Sequence, residues 1–104
     1  MKIFYISLIL FVINTIADEF IVIDVRTSEE FKAGHIEESS NVEWQIISSI
    51  IDEVKKDQKI YLYCRSGRRS QNATNTLIDL GYEDVTNLGG INDAAIFLDR
   101  NITE

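Results

Sequence analysis

Residues 64–69, Cys-Arg-Ser-Gly-Arg-Arg, place one thiol among three guanidinium groups and a glycine. A cysteine reacts as its thiolate, and cations or convergent backbone N–H groups around the sulfur favour that form. Arg65, Arg68 and Arg69 supply the cations, and Gly67 lets the chain curl tightly enough for several N–H groups to converge, a nest that most side chains would obstruct. The pattern suits Cys64 as a nucleophile, with Arg65, Ser66, Gly67, Arg68 and Arg69 around an anionic substrate. The competing reading, a buried inert thiol at a strand end, fits an apolar environment, and these neighbours are not apolar. Cys64 is the single cysteine and His35 the single histidine. An intrachain disulfide and a Cys-rich structural zinc site are therefore excluded, and no metal or organic cofactor is expected.

The elements on either side must position this loop. Ile60 to Tyr63 reads as a strand running into Cys64, and Ala73, Leu77 and Leu80 follow at helical spacing, with Gly81 at the place of a left-handed C-cap glycine. Upstream, Phe20 to Asp24 is a continuous apolar run of the kind buried on both faces of a parallel sheet. Thr27 and Glu30 have capping-box spacing for a short helix that stops near Gly34. Residues 35–42 read as a loop with a brief strand at Asn41 and Val42, and Trp44, Ile46, Ile47, Ile50, Ile51 and Val54 as a helix with one face inward. Val85 to Leu88, closed by Gly89-Gly90, is a third strand, and Ile91 to Leu98 a final short helix. Strands alternating with helices predict an α/β fold with a mostly parallel sheet. In such a sheet the ligand crevice lies beyond the carboxyl ends of the strands, where Cys64 falls with a helix N-terminus just after it.

Ile23-Asp24-Val25-Arg26, Glu30-Phe31, Gly34-His35-Ile36, Asn41, Tyr63 to Ser70, Leu80-Gly81-Tyr82, Val85 and Leu88 to Ile91 occur in an order that resembles a single-domain rhodanese, especially the small exported rhodaneses of the phage-shock type. The resemblance implies a rhodanese-like three-layer fold with a mostly parallel central sheet flanked by helices. It also implies thiosulfate sulfurtransferase chemistry, in which Cys64 takes a sulfane sulfur as a persulfide and passes it to a thiophilic acceptor such as cyanide or a thiol. Asp24 and Arg26 match the family's Asp-Val-Arg element, whose implied role is to brace the sheet edge and the active loop. His35 matches the Gly-His-Ile segment and is read as structural. Two positions depart from the pattern: Glu37-Glu38 stands where Pro-Gly is usual, and Ala94 where a Trp often follows the late Gly-Gly, which predicts a more open wall there. Cysteine-dependent phosphatases place an arginine six residues after the cysteine to clamp phosphoryl oxygens; here that position is Ser70, and Arg69 comes one early. The alternative function is a persulfide-carrying or redox-signalling module that binds a partner protein and turns over little thiosulfate.

The amino terminus has its own logic. Lys2 precedes a mostly apolar run from Ile3 to Ile13, and small residues at Thr15 and Ala17 lead into Asp18-Glu19, the pattern of a secretory signal peptide cut after Ala17. The run is short for a spanning helix, which needs about 20 residues. Residues 1–17 are read as the signal and 18–104 as one rhodanese-like domain, periplasmic or secreted, without a stable membrane anchor once cut. At 104 residues, with 45% hydrophobic and 26% charged side chains, the composition is that of a globular domain and excludes a disordered chain. A net charge of −7 argues against nucleic-acid binding. The expected partners are a small anionic sulfur donor, thiosulfate, and a thiophilic acceptor, with a monomer as the expected state.

Overall fold

The computed structural model describes residues 19–104; the signal peptide read at 1–17 lies outside them. Strand β1 (Phe20–Asp24) leads to helix α1 (Ser28–Ala33), the short strands β2 (His35–Ile36) and β3 (Ser39–Asn41), and a 3₁₀ helix (Trp44–Asp52). Strand β4 (Lys59–Cys64), helix α2 (Arg68–Asp79), strand β5 (Val85–Gly90), helix α3 (Ile91–Leu98) and strand β6 (Ile102–Thr103) complete the chain. Four strands form one parallel sheet in the order β3-β1-β4-β5, and β2 pairs antiparallel with β6. This is an α/β fold with a parallel central sheet flanked by helices.

Period-2 alternation sorts the sheet into two buried faces. Ile23, Val25, Ile60, Leu62 and Cys64 face Ile47 and Ile50 of the 3₁₀ helix and Ala73 and Leu77 of α2. Val22 and Tyr63 face the other way, toward Ile36 and Ala94 of α3. The Cys64 side chain therefore points into the layer built by α2, whose first turn follows the loop.

Local signals act as read at both helix ends. The Thr27 hydroxyl accepts the Glu30 N–H at 3.1 Å, and the Glu30 carboxylate accepts the Thr27 N–H at 3.0 Å. After α2, Gly81 has φ +101°, and the Gly81 and Tyr82 N–H groups close back on the Ile78 and Leu77 carbonyls.

Several expectations need correction. The brief strand is β3 at Ser39–Asn41, which includes the expected Asn41 but ends before Val42, and it pairs with Val22, Ile23 and Asp24. The segment from Trp44 is 3₁₀ rather than α, with a non-helical Ile46 (φ −118°). Three residues per turn bring Ile47 and Ile50 to one face, while Ile46 and Ile51 face solvent. β5 runs through both glycines to Gly90. Ala94 is fully buried on the inner side of α3, so it opens no wall beside the site. Glu38, at a position usually glycine, has φ +63° in the left-handed region that glycine tolerates best.

The carboxyl end of β1 carries an ion pair inside the fold. The Arg26 Nε and Nη2 donate to the two Asp24 oxygens at 3.0 and 2.7 Å, and Nη2 also donates to the Gly34 carbonyl at 2.6 Å. Asn41 Nδ2 donates to the carbonyls of Asp24 and Arg26 at 3.0 and 2.9 Å. The Asp24 side chain is 0% exposed and that of Arg26 is 9% exposed. Removing one partner strands the other charge away from water, so Asp24→Ala is expected to destabilise the fold by about 3–5 kcal/mol; urea unfolding of the variant beside the parent chain measures it.

Candidate active site

Cys64 is the last residue of β4, where pairing with β5 changes register: Leu62 lies opposite Asn87, but Cys64 lies opposite Gly90. β5 thus carries one extra residue and bulges beneath the loop. The two backbones touch there. A Cβ on Gly90 would stand 2.7 Å from the Arg65 carbonyl oxygen, and one on Gly67 would stand 3.2 Å from Gly89 Cα. Gly67 also has φ +99°, so both its conformation and its space call for glycine.

The curl delivers hydrogen-bond donors to the sulfur. Gly67 N–H donates to Cys64 Sγ at 2.9 Å, and the Ser70 hydroxyl lies 3.3 Å from it. Cys64 is fully buried. Burial pushes its thiol up, but the Ser70 hydroxyl and the N–H groups of Ser70, Ser66 and Gly67 outweigh it, and the net result is a thiol more acidic than usual. The hydrogen-bond partners of the sulfur are neutral groups of the loop and the first turn of α2, and the Arg69 charge interacts with Cys64 beside them, as the arginine-rich sequence leads one to expect.

The arginines divide. Arg69 is held by Glu30 through two parallel contacts, Nη1 to Oε1 at 2.8 Å and Nη2 to Oε2 at 3.0 Å. The Arg69 hydrogen bond holds the Glu30 carboxyl at about 2, against the opposing effect of burial and with help from Thr27. Arg65, Ser66 and Arg68 are exposed. Arg65 lines an open cavity of about 330 Å³ with Arg26, Glu30, Ala33 and Gly34. Cys64 is absent from that wall, so the cavity flanks the loop rather than covering the sulfur. Asp24 and Arg26 brace the floor of the same region from the end of β1. His35 stacks on Phe31 with ring centroids 3.7 Å apart and its Nδ1 2.8 Å from the Phe31 carbonyl, and it is not among the hydrogen-bond partners of the sulfur. Among the described residues no cluster of three metal-ligating side chains occurs.

Three residues at the site had no functional role in the sequence reading. Ser70 closes the Tyr63 to Ser70 run of the resemblance and stands where a phosphatase arginine would be, with no role of its own. Glu30 was read as a helix cap, which it is, while its second partner Arg69 is 39 positions away and invisible to local spacing. Asn87 was read as part of a strand; the available signal was a carboxamide two residues before Gly89-Gly90.

With this geometry in hand, the chain can be set beside known proteins. The profile of the family described as "Rhodanese-like domain" matches residues 12–95. The chain is 32% identical over 76 residues to "Thiosulfate sulfurtransferase PspE" of Escherichia coli, covering 71% of this chain and 73% of that one. It is 32% identical over 80 residues to "Protein HIGH ARSENIC CONTENT 1, mitochondrial" of Arabidopsis thaliana, covering 65% of this chain, and so spans only 47% of that longer relative. The solved structure "rhodanese with anions from E. coli" superposes with a TM-score of 0.72 at 28% identity, covering 81% of this chain and 96% of that one.

Two expectations follow from the site. Since the Ser70 hydroxyl stabilises the thiolate, Ser70→Ala should raise the pH midpoint of Cys64 alkylation by iodoacetamide above that of the parent chain. Since Glu30 titrates lower folded than unfolded, its pairing with Arg69 is fully stabilising above its ordinary value of 4.5 and is lost as pH falls toward about 2. Glu30→Gln should therefore cost about 1 kcal/mol at neutral pH and flatten the acid limb of a stability-against-pH curve followed by urea unfolding.

Proposed function

The chain belongs to the rhodanese-like family, and from that premise we propose that it is a sulfurtransferase that moves a sulfane sulfur from thiosulfate to cyanide or a thiol through a Cys64 persulfide. The observation that carries the reading is the set of donors converging on Cys64 Sγ from Gly67 and Ser70. These groups favour the thiolate, the form that attacks the sulfur donor and is restored when the acceptor takes the sulfur.

The reaction needs no redox partner. The Cys64 thiolate attacks the outer sulfur of thiosulfate; a cysteine S–S bond forms, the sulfur–sulfur bond of thiosulfate breaks, and sulfite leaves with the electron pair. Cyanide then attacks the outer sulfur of the persulfide, thiocyanate departs, and the thiolate is restored. Arg65 and Arg68, exposed beside the loop, are the cations suited to draw in the dianion. Arg69, which the sequence reading grouped with them, is engaged by Glu30 and is better suited to hold the loop against α1. An aryl-phosphatase role is disfavoured on the same ground, since its clamp would need an arginine free to close on phosphoryl oxygens.

The alternative reading is a persulfide-carrying or redox-signalling module that hands its sulfur to a partner protein, with little thiosulfate turnover. The domain is proposed to act as a monomer outside the cytoplasm, as an exported phage-shock-type member, after cleavage following Ala17.

Incubation with thiosulfate should add the mass of one sulfur to Cys64, and subsequent cyanide should release thiocyanate, with both signals lost in Cys64→Ser. Absence of both in the folded protein removes the sulfurtransferase reading, and mass gain without thiocyanate selects the carrier. The same intact-mass spectrum of exported protein should begin at Asp18.

A further inference from the structure

The side chain of Asn87 uses its full hydrogen-bonding capacity at the base of the loop. Its Oδ1 accepts the Ser70 hydroxyl at 2.6 Å and the Gly89 N–H at 2.9 Å, and its Nδ2 donates to the Gly67 carbonyl at 3.0 Å and to Gln71 Oε1 at 3.1 Å. The amide has one orientation, because the Gly89 N–H can only donate and the Gly67 carbonyl can only accept. Its two nearest loop partners, Ser70 and Gly67, are the residues whose O–H and N–H reach Cys64 Sγ.

We propose that Asn87 is a positioning residue: from the rigid strand β5 it holds Gly67 and Ser70 in the places from which their donors meet the Cys64 sulfur. Ser70 sits in the first turn of α2, three residues after Gly67, and a serine there can turn to bond nearby backbone instead. Asn87 occupies the Gly67 carbonyl, which denies that acceptor to the Ser70 hydroxyl, and while Cys64 is a thiol its Oδ1 holds the Ser70 oxygen beside the sulfur. The hydroxyl has a single proton. While Cys64 is a thiol, that proton rests on Asn87 Oδ1 and the Ser70 oxygen is open to the S–H; once the thiolate forms, the proton turns to the sulfur and Oδ1 retains the Gly89 N–H. Asn87 thus acts on the nucleophile through two intermediaries and touches neither sulfur nor substrate.

The inference rests on Cys64 being the nucleophile but not on the identity of the sulfur donor, so its test uses alkylation rather than turnover. With one cysteine in the chain, iodoacetamide incorporation into the full chain reads Cys64 alone. The ionisable groups around it are the Glu30–Arg69 and Asp24–Arg26 pairs, Arg65 and Arg68 in the loop region, and Asp93 beside Gly89. Asn87→Leu and Ser70→Ala leave all of these charges in place. Asn87→Leu is expected to raise the alkylation midpoint by about half a pH unit or more, a loss of about threefold in rate at neutral pH, in the same direction as Ser70→Ala. In the double variant the shift should fall clearly short of the sum of the two single shifts. An unchanged midpoint, a lowered one, or a double variant with the full sum overturns the proposal; the lowered midpoint would mean that Asn87 only competes with the sulfur for the Ser70 proton. Circular dichroism establishes that each variant is folded. Where Asn87→Leu is not, Asn87→Ser, polar but too short to reach both partners, must show the same raised midpoint, and an unmoved one overturns the proposal.

Discussion

The active loop lies backbone against backbone on the end of β5, with no side chain between them. At Gly90 the space for a methyl group is already taken by the Arg65 carbonyl, and at Gly67 it is pressed by Gly89. The sharp curl follows from that approach, and the curl turns the Gly67 N–H toward the sulfur. The bulge in β5 answers the same constraint from the other side, since the extra residue between the pairs Leu62↔Asn87 and Cys64↔Gly90 sets the two strand ends against each other. A larger residue at either glycine would force the loop outward and carry the donors away from Cys64 Sγ.

Around this contact the fold places three ties of different kinds. Asn87 joins β5 to the loop through neutral hydrogen bonds. Glu30 joins α1 to the first turn of α2 through Arg69 and caps its own helix with the same carboxylate, so one side chain fixes the helix start and its distance from the loop. The Asp24–Arg26 pair, tied to β3 by Asn41 and to the end of α1 by the Gly34 carbonyl, fixes the end of β1 beside them. A buried pair is weak evidence for net stability, because desolvation offsets much of the attraction. What it supplies here is direction: Arg26 can satisfy Asp24 and Gly34 together only with α1 in this place.

The elements with strong local signals were legible in the sequence. β1 and β4 declare themselves by apolar runs, α1 by its capping box, α2 by its apolar spacing and Gly81, and the donor-lined thiol by its neighbours. The 3₁₀ helix was misread because Ile46, Ile47, Ile50 and Ile51 satisfy an α spacing equally well, and only packing selects Ile47 and Ile50 for the core. β2 and β6 have two residues each and exist because they pair across more than 60 positions, which no local pattern records. The site's missing members fail for the same reason. Asn87, Ser70 and Glu30 are ordinary polar residues in their own elements; their roles arise from partners that the sheet topology brings to them.

The arrangement separates two electrostatic tasks that the sequence had merged. A guanidinium paired with a carboxylate, as Arg69 is with Glu30, orients the structure but adds little net charge. Net positive potential near the loop in a chain of charge −7 therefore rests on the exposed Arg65 and Arg68. Their field reaches into solvent and is screened over about 8–10 Å at ordinary salt. The donors on the sulfur are neutral, short-range and buried, so salt screens them little. The net charge at the rim of the loop and the hydrogen bonds to the sulfur thus come from different groups. Changes to Arg65 and Arg68 alter the charge that an approaching anion meets and reach the thiol only through that screened field, whereas Gly67, Ser70 and Asn87 act on the thiol without altering that charge.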